Sequence, residues 1–233
     1  MSRIVNSAGA SVRQTPSRPP PRPSSEYARA RFAACAPRAL FIGASTGGPQ
    51  ALARVLGVLA PRAVDLPIFV VLHVPADFTS IVTANIARIT RREVRIGQHG
   101  EPVKPGKIYF APGDAHLRVL RIGETPIIVH SDGPPENFCK PAVDVLFRSA
   151  AQSFGPGALG VVLTGMGSDG LEGSRAIVAA GGAVIAQDEE TSVVWGMPGV
   201  VAKEGLAAAI LPLDEIAGAV AELARGLRPG RVA

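Results

Sequence analysis

The stretch Ala39-Leu-Phe-Ile-Gly-Ala-Ser-Thr-Gly-Gly-Pro49 decides the fold, because an apolar run gives way to a helical pattern within a few residues. Residues 39–42 are typical of a buried strand, and Pro49 suits the first turn of the helix predicted over 49–59. Glycines at the turn between them allow positive φ and close approach of a second molecule. Ser45 lies at this turn, where a hydroxyl can project from the backbone as a nucleophile must.

Apolar runs and helical patterns alternate along the rest of the chain. Strands are predicted over 39–42, 68–72, 107–111, 158–164, 183–187 and 208–211, and helices over 49–59, 78–89, 141–153, 171–180 and 213–225. Because uninterrupted apolar strands need cover on both faces, this order predicts an α/β fold with a doubly wound, mainly parallel sheet flanked by helices. Residues 117–122 and 126–130, joined by Gly-Glu-Thr, predict one antiparallel hairpin.

The charged residues are unevenly distributed. The chain has 24 Lys and Arg residues and 19 Asp and Glu residues, and residues 1–35 hold six of the Arg and one of the Glu, which equals the net +5 of the whole chain. Residues 1–36 are rich in Pro, Arg and Ser and are predicted to be a disordered tail, since they cannot bury enough apolar surface to offset the entropy of ordering. The remaining charges balance, so no binding of nucleic acid is predicted. Residues 37–230 are predicted to form one domain.

Composition also predicts a cytoplasmic protein. No run approaches ~20 consecutive apolar residues, so neither a signal peptide nor membrane insertion is expected. The two cysteines, Cys35 and Cys139, lie far apart and give neither a disulfide framework nor a metal-binding spacing, which favours free thiols in a reducing compartment. No metal or organic cofactor is predicted, because the sequence offers no ligand cluster.

A serine nucleophile needs a base and an orienting acid, and parallel strands bring such residues to one edge of a sheet. His73 directly follows the second predicted strand, which favours it as the base. His130 also ends an apolar run, but the hairpin leaves its direction relative to that edge open. For the acid, Asp169 in a glycine-rich loop competes with Asp188, which follows the next strand. Position favours Asp169 and leaves Asp188 possible.

Short motifs occur in a fixed order over most of the chain. They are Phe41-Ile-Gly-Ala-Ser-Thr-Gly-Gly-Pro-Gln-Ala-Leu52, His73-Val-Pro75, Phe78-Thr79, Gly106-Lys-Ile-Tyr-Phe-Ala-Pro-Gly-Asp114 with His116, Pro141-Ala-Val-Asp-Val-Leu-Phe-Arg-Ser149, Leu163-Thr-Gly-Met-Gly-Ser-Asp-Gly170, Gly181-Gly182, Ala186-Gln-Asp188 and Gly196-Met-Pro198. With these motifs, residues 38 to 220 resemble the catalytic domain of the chemotaxis protein-glutamate methylesterase family.

The resemblance implies roles for individual residues. It makes Ser45 the nucleophile, His73 the base and Asp169 the orienting acid. It also implies that Thr46 and Met166 line the site, where their backbone N–H groups would support an oxyanion. Asp188 is then left with a structural or supporting role.

The resemblance further implies a substrate. It points to hydrolysis of glutamate γ-methyl esters on the cytoplasmic helices of methyl-accepting chemoreceptors, and to deamidation of receptor glutamines through the same acyl-enzyme. The family commonly carries an N-terminal phosphorylation-receiver domain, whereas this chain has only the tail there, so we expect a catalytic domain without a receiver. Control would then be absent, or would come from a separate response regulator or from the tail.

The chain departs from the family at several positions. The family usually has Gln-His-Met where this chain has Leu72-His73-Val74, and a serine where Ala142 stands. Because of these changes, a second hypothesis remains, namely a receptor-docking or scaffold protein with little turnover. A third, less favoured, is a nucleotide-binding module using residues 43–48, which lack the Gly-Lys-Ser/Thr ending of a P-loop.

Overall fold

Nine strands and six helices follow one another in the computed structural model, which describes residues 36–62 and 65–227. The strands are β1 (Ala39–Ala44), β2 (Ile68–Leu72), β3 (Val94–Ile96), β4 (Ile108–Phe110), β5 (His116–Ile122), β6 (Thr125–Ser131), β7 (Ala158–Val162), β8 (Ala183–Gln187) and β9 (Ala209–Leu211). The helices are α1 (Gly48–Leu59), α2 (Ala76–Thr90), α3 (Val143–Phe154), α4 (Leu171–Ala179), α5 (Met197–Lys203) and α6 (Leu213–Ala224).

Seven of the strands form one sheet in the order β3-β4-β2-β1-β7-β8-β9, and every neighbouring pair in it is parallel. Strands β5 and β6 pair antiparallel as a separate hairpin. The α/β prediction, with its parallel sheet and one hairpin, is confirmed. The chain winds outward in opposite directions from β1 and from β7, and in open α/β sheets the crevice at the carboxyl ends of two such strands is where ligands bind.

The central strand shows why both faces are covered. Successive residues of β1 point to opposite sides, and all six are buried. Leu40 and Ile42 belong to a core formed with α1, α2 and α6, whereas Phe41 belongs to a core formed with α3, α4, α5 and the hairpin. Phe41 stacks on Phe69 at 5.0 Å, and Phe69 stacks on Tyr109 at 5.5 Å, so one aromatic row crosses three strands.

Two short elements were not predicted. Strand β3 has only three residues, too few for periodicity to register. Helix α5 contains Pro198 and Gly199, which are read as loop residues, although proline is compatible with a first helical turn. The predicted tail lies outside the described residues apart from Ala36, and so does Cys35. None of the helices in the described part of the chain combines the length and apolarity needed to cross a bilayer.

Candidate active site

The predicted nucleophile and base lie side by side at the carboxyl edge of the sheet. Ala44 of β1 is in register with Leu72 of β2, so Ser45 and His73 are the next residues on two neighbouring strands. The His73 amide donates to the Ala44 carbonyl at 3.0 Å, and the Ser45 amide donates to the carbonyl of Thr164 beyond β7 at 3.0 Å. Backbone hydrogen bonds between neighbouring strands therefore position Ser45 and His73, independently of any contact between their side chains.

Asp169 holds the imidazole of His73. Its Oδ2 lies 2.9 Å from His73 Nε2, and both side chains are nearly buried, with 2% and 11% of their surface exposed. The carboxylate also accepts backbone hydrogen bonds from Val143 at 2.6 Å, Asp144 at 2.9 Å and Gly170 at 2.9 Å. An ionised carboxylate can only accept, so Nε2 carries the proton and Nδ1 is left with a free lone pair.

The pKa of Asp169 reflects two opposing influences. Burial is the largest and raises it, because the charged form loses its hydration. Hydrogen bonds from His73 and from the amides of Val143 and Asp144 together outweigh burial and leave the pKa of Asp169 below its ordinary value. The carboxylate is therefore ionised at neutral pH, as a group that stabilises an imidazolium must be.

A second buried carboxylate, Asp144, stands next to the first. Its Oδ1 accepts from the Gly173 amide at 2.7 Å, and its Oδ2 accepts from Asn137 Nδ2 at 2.8 Å. The same amide nitrogen lies 3.4 Å from Asp169 Oδ1, so Asn137 bridges the two carboxylates. Burial first, and the neighbouring charge of Asp169 as a smaller cause, raise the pKa of Asp144.

Sequence reasoning gave no role to Asn137 or Asp144. The only signal for Asp144 was its place in the Pro141-Ala-Val-Asp motif, and Asn137 had none. Asp144 lies in the first turn of α3, and its backbone amide donates a hydrogen bond to Asp169. The start of this helix therefore connects the two carboxylates.

Cys139 approaches the free nitrogen of the base, with Sγ 3.6 Å from His73 Nδ1. A tight turn holds it there, in which the backbones of Glu136 and Cys139 exchange hydrogen bonds of 3.1 and 2.8 Å. The two central residues, Asn137 with φ 50° and Phe138 with φ 62°, are both left-handed, as in a type I′ turn. Because Nδ1 is the acceptor, the thiol donates its weak hydrogen bond to it.

The donor atoms of His73, Cys139 and Asp169 all lie within 4.8 Å of one another, which makes them a group able to hold a metal ion. Burial first, and the charge of Asp169 second, raise the pKa of the Cys139 thiol, so it is protonated at neutral pH. The sequence did not reveal this cluster, because Cys139 is 66 residues from His73 and only the fold brings them together.

Hydrogen-bond donors beside Ser45 have no acceptor within the described part of the chain. Among the residues that the structure describes, the Ser45 hydroxyl makes no hydrogen bond, and the backbone N–H groups of Thr46 and Met166 find no acceptor. Gly165 brings the two loops together, since a Cβ on it would lie 2.8 Å from Ser45 Cβ. Only a residue without a side chain permits this approach.

The competing carboxylate and histidines lie elsewhere. Asp188 accepts from the Thr191 amide at 3.0 Å and from its hydroxyl at 2.6 Å, which organises the loop after β8. His130 Nε2 lies 2.7 Å from the Gly97 carbonyl. His116 is buried at the start of β5, with its Nε2 3.0 Å from the Pro134 carbonyl and its Nδ1 accepting from the Ala142 amide. His99 Nδ1 accepts from the His130 amide.

The chain is similar in sequence to proteins of one family. A sequence profile described as CheB methylesterase matches residues 40–220. A protein of Rhodopseudomonas palustris named protein-glutamate methylesterase/protein-glutamine glutaminase of group 2 operon is 53% identical over 197 residues, which are 84% of this chain and 50% of that protein. A Bradyrhizobium diazoefficiens protein of the same name is 52% identical over the same shares. The chain thus spans about half the length of these relatives.

A solved structure supports the same assignment. The crystal structure of the Thermotoga maritima CheB methylesterase catalytic domain superposes with a TM-score of 0.78 at 37% sequence identity. The match covers 81% of this chain and 100% of that one. Given the profile over residues 40–220 and this likeness of fold, the chain belongs to the CheB methylesterase family.

Proposed function

We propose that this chain is a serine hydrolase that removes methyl groups from glutamate γ-methyl esters of chemoreceptors. The observation that carries the proposal is the 2.9 Å hydrogen bond between His73 Nε2 and Asp169, made beside Ser45 at the carboxyl edge of the sheet. The relatives' names supply the substrate class, since they are called protein-glutamate methylesterases. A nucleotide-binding module would leave this pair of residues without a use.

The orientation of the imidazole supports one path for the proton in the proposed reaction. Because Nε2 is bound to Asp169, the proton of the Ser45 hydroxyl passes to Nδ1 of His73 as Ser45 attacks the ester carbonyl. His73 then returns the proton to the departing methoxide, and methanol leaves. Water hydrolyses the glutamyl-enzyme with the same nitrogen as base, while Asp169 stabilises the transient imidazolium. The Ser45 hydroxyl must turn towards Nδ1 for this, and such contacts commonly tighten only when substrate binds.

The free N–H groups of Thr46 and Met166 are proposed to bind the oxyanion of the tetrahedral intermediate. Their support is that neither donates a hydrogen bond to a described residue, although both flank the contact of Gly165 with Ser45. A well-placed oxyanion donor is worth about 3 kcal/mol of transition-state stabilisation. The same acyl-enzyme would allow deamidation of receptor glutamines, the second activity in the relatives' names.

We propose residues 37–230 as the catalytic unit and residues 1–36 as a tail outside it. The match of the family profile to residues 40–220 supports this division. The partners would be the cytoplasmic helices of methyl-accepting chemoreceptors, and the enzyme would then act in the cytoplasm. Neither a cofactor nor nucleic acid would be needed.

Release of methanol from a methylated receptor fragment tests the proposal. The full chain should release methanol, and Ser45→Ala should abolish release, because the nucleophile is lost while the fold is kept. Ser153→Ala is a matched control, since this serine lies in the last turn of α3, at the end opposite to the site, and donates to the Val119 carbonyl. Release that continued in Ser45→Ala would contradict the proposal. Equal binding of the fragment by both proteins without any release, even with a response regulator added, would indicate a docking protein instead.

A further inference from the structure

Cys139 has no part in the proposed hydrolysis, yet its sulfur contacts the ring nitrogen that the reaction needs. Its Sγ lies 3.6 Å from His73 Nδ1. In a tetrahedral zinc site, a Zn–S bond of about 2.3 Å and a Zn–N bond of about 2.0–2.1 Å place the two ligand atoms about 3.6 Å apart. A cation can therefore bind both atoms with little movement of either side chain.

The other ring nitrogen of His73, Nε2, is already hydrogen-bonded as in a metal-binding histidine. Such histidines usually donate their other ring N–H to a carboxylate, which fixes the ring and makes the free nitrogen a stronger ligand. His73 does this through its 2.9 Å hydrogen bond to Asp169. Asp169 is itself fixed by the amides of Val143 and Asp144, so the direction of Nδ1 is set without any ion.

The turn that carries Cys139 is also fixed. The backbone bonds between Glu136 and Cys139 close it, and the side chain of Asn137 ties it to Asp144 at 2.8 Å. The sulfur is thus presented by a short, closed turn and not by an open loop. Cys139 is partly exposed, which leaves a route for an ion from solvent.

We propose that His73 Nδ1 and Cys139 Sγ bind a thiophilic divalent cation such as Zn²⁺, with water completing its coordination, and that this ion switches the hydrolase off. Only the inhibition rests on the proposed function; the binding does not. On binding, the metal–sulfur bond replaces the S–H bond, the proton passes to solvent, and no atom changes oxidation state. The lone pair of Nδ1 is then occupied, so His73 cannot accept the Ser45 proton. Two protein ligands are fewer than a resident zinc has, so the ion is exchangeable.

Titration of the full chain with Co²⁺ tests the site directly. One equivalent should produce a near-ultraviolet absorption from charge transfer between thiolate and cobalt, which Zn²⁺ then removes. Cys139→Ser and His73→Gln should lose this absorption, whereas Cys35→Ser, the matched control for the second cysteine, should keep it. Asp169→Asn should weaken Co²⁺ binding by ~10–100-fold through loss of the carboxylate behind the ring. Far-ultraviolet circular dichroism confirms that each variant is folded.

Methanol release with and without Zn²⁺ tests the consequence. The full chain should lose activity with Zn²⁺ and regain it with a chelator. For Cys139→Ser, the ratio of the rate with Zn²⁺ to the rate without it should stay near one. An absorption that is absent, or that survives in Cys139→Ser, would overturn the metal site. Binding that leaves turnover unchanged would overturn the switch. A Cys139-dependent absorption in a chain without turnover under any condition would refute the proposed function and leave the metal site standing.

Discussion

Asp169 meets His73 at Nε2, at a distance of 2.9 Å, and leaves Nδ1 facing away from the acid. In proteases of the chymotrypsin type the acid binds Nδ1 and the serine faces Nε2. In the proposed mechanism the imidazole would be used in the opposite sense, with Asp169 at Nε2 and Ser45 at Nδ1. The two ring nitrogens have separate partners in the structure, Asp169 at Nε2 and Cys139 at Nδ1.

Asp169→Asn should lower kcat by roughly 10⁴-fold with a much smaller change in KM, because an amide neither stabilises the imidazolium nor fixes the ring. Asp188→Asn is the matched control, since the hydrogen bonds that this carboxylate makes to described residues come from Thr191 of its own loop. Steady-state kinetics on a methylated receptor fragment measure both. A comparable loss of kcat in Asp188→Asn would mean that the acid has been misassigned.

The stability of the protein should depend on pH through Asp169. Its pKa is lower in the folded chain than in the unfolded one, so its contribution to the free energy of unfolding is present above the ordinary value of 3.8. That contribution is lost as the pH falls through the lower folded-state pKa. Urea unfolding from pH 6 downward should show the advantage of the natural protein over Asp169→Asn shrinking below about pH 4. Because the charge of Asp169 also raises the pKa of Asp144, the two proteins are compared in an Asp144→Asn background, and a constant difference there would contradict the assignment.

Gly165→Ala should damage both stability and turnover. The new methyl group would collide with Met197 Sδ and lie 2.8 Å from Ser45 Cβ. The methionine can move, but Ser45 is tied to Thr164 through its amide, so the collision displaces the nucleophile. We expect a loss of 1–3 kcal/mol in the free energy of unfolding, roughly as for other overpacked sites, together with a lower kcat.

Gly218→Ala is the control for that experiment. It lies inside α6, and a Cβ there has nothing within 4 Å. The same substitution should raise stability by up to ~1 kcal/mol, because alanine favours a helix more than glycine does. Equal effects of the two variants in chemical denaturation would show that Gly165 is not needed for the approach to Ser45.

Phe138→Gly should stabilise the protein by roughly 0.5–1 kcal/mol, although it deletes a large apolar side chain. Phe138 is fully exposed and has φ 62°, a conformation that costs a side chain about 1–2 kcal/mol and glycine little. Phe78→Gly is the comparison, since Phe78 is also exposed but lies in the first turn of α2. That change should destabilise by roughly 0.5 kcal/mol through helix propensity. Denaturation of both variants decides whether the backbone at residue 138 is strained.

Local sequence determined most of the fold and predicted that Ser45 and His73 would lie at one edge of the sheet. Apolar runs alternating with helical patterns predicted the parallel sheet, because burial on both faces leaves a signal in every strand. Ser45 and His73 follow two such runs directly, so the common carboxyl edge of parallel strands predicted that they would meet. Position in the chain favoured Asp169 as the acid but left Asp188 open, and the family resemblance then gave Asp188 a structural or supporting role.

Only the tertiary structure decided which atoms face one another. No periodicity records that Asn137 bridges Asp144 and Asp169, or that Cys139 lies 3.6 Å from His73 Nδ1. These contacts depend on a tight turn and on the start of α3, elements brought to the sheet by packing between segments far apart in the chain. Side-chain direction at a loop depends on backbone angles and neighbours, which sequence spacing does not contain. The sequence therefore predicted the members of the proposed triad, while the fold decided that Asp169 binds Nε2 of His73 and that Cys139 contacts Nδ1.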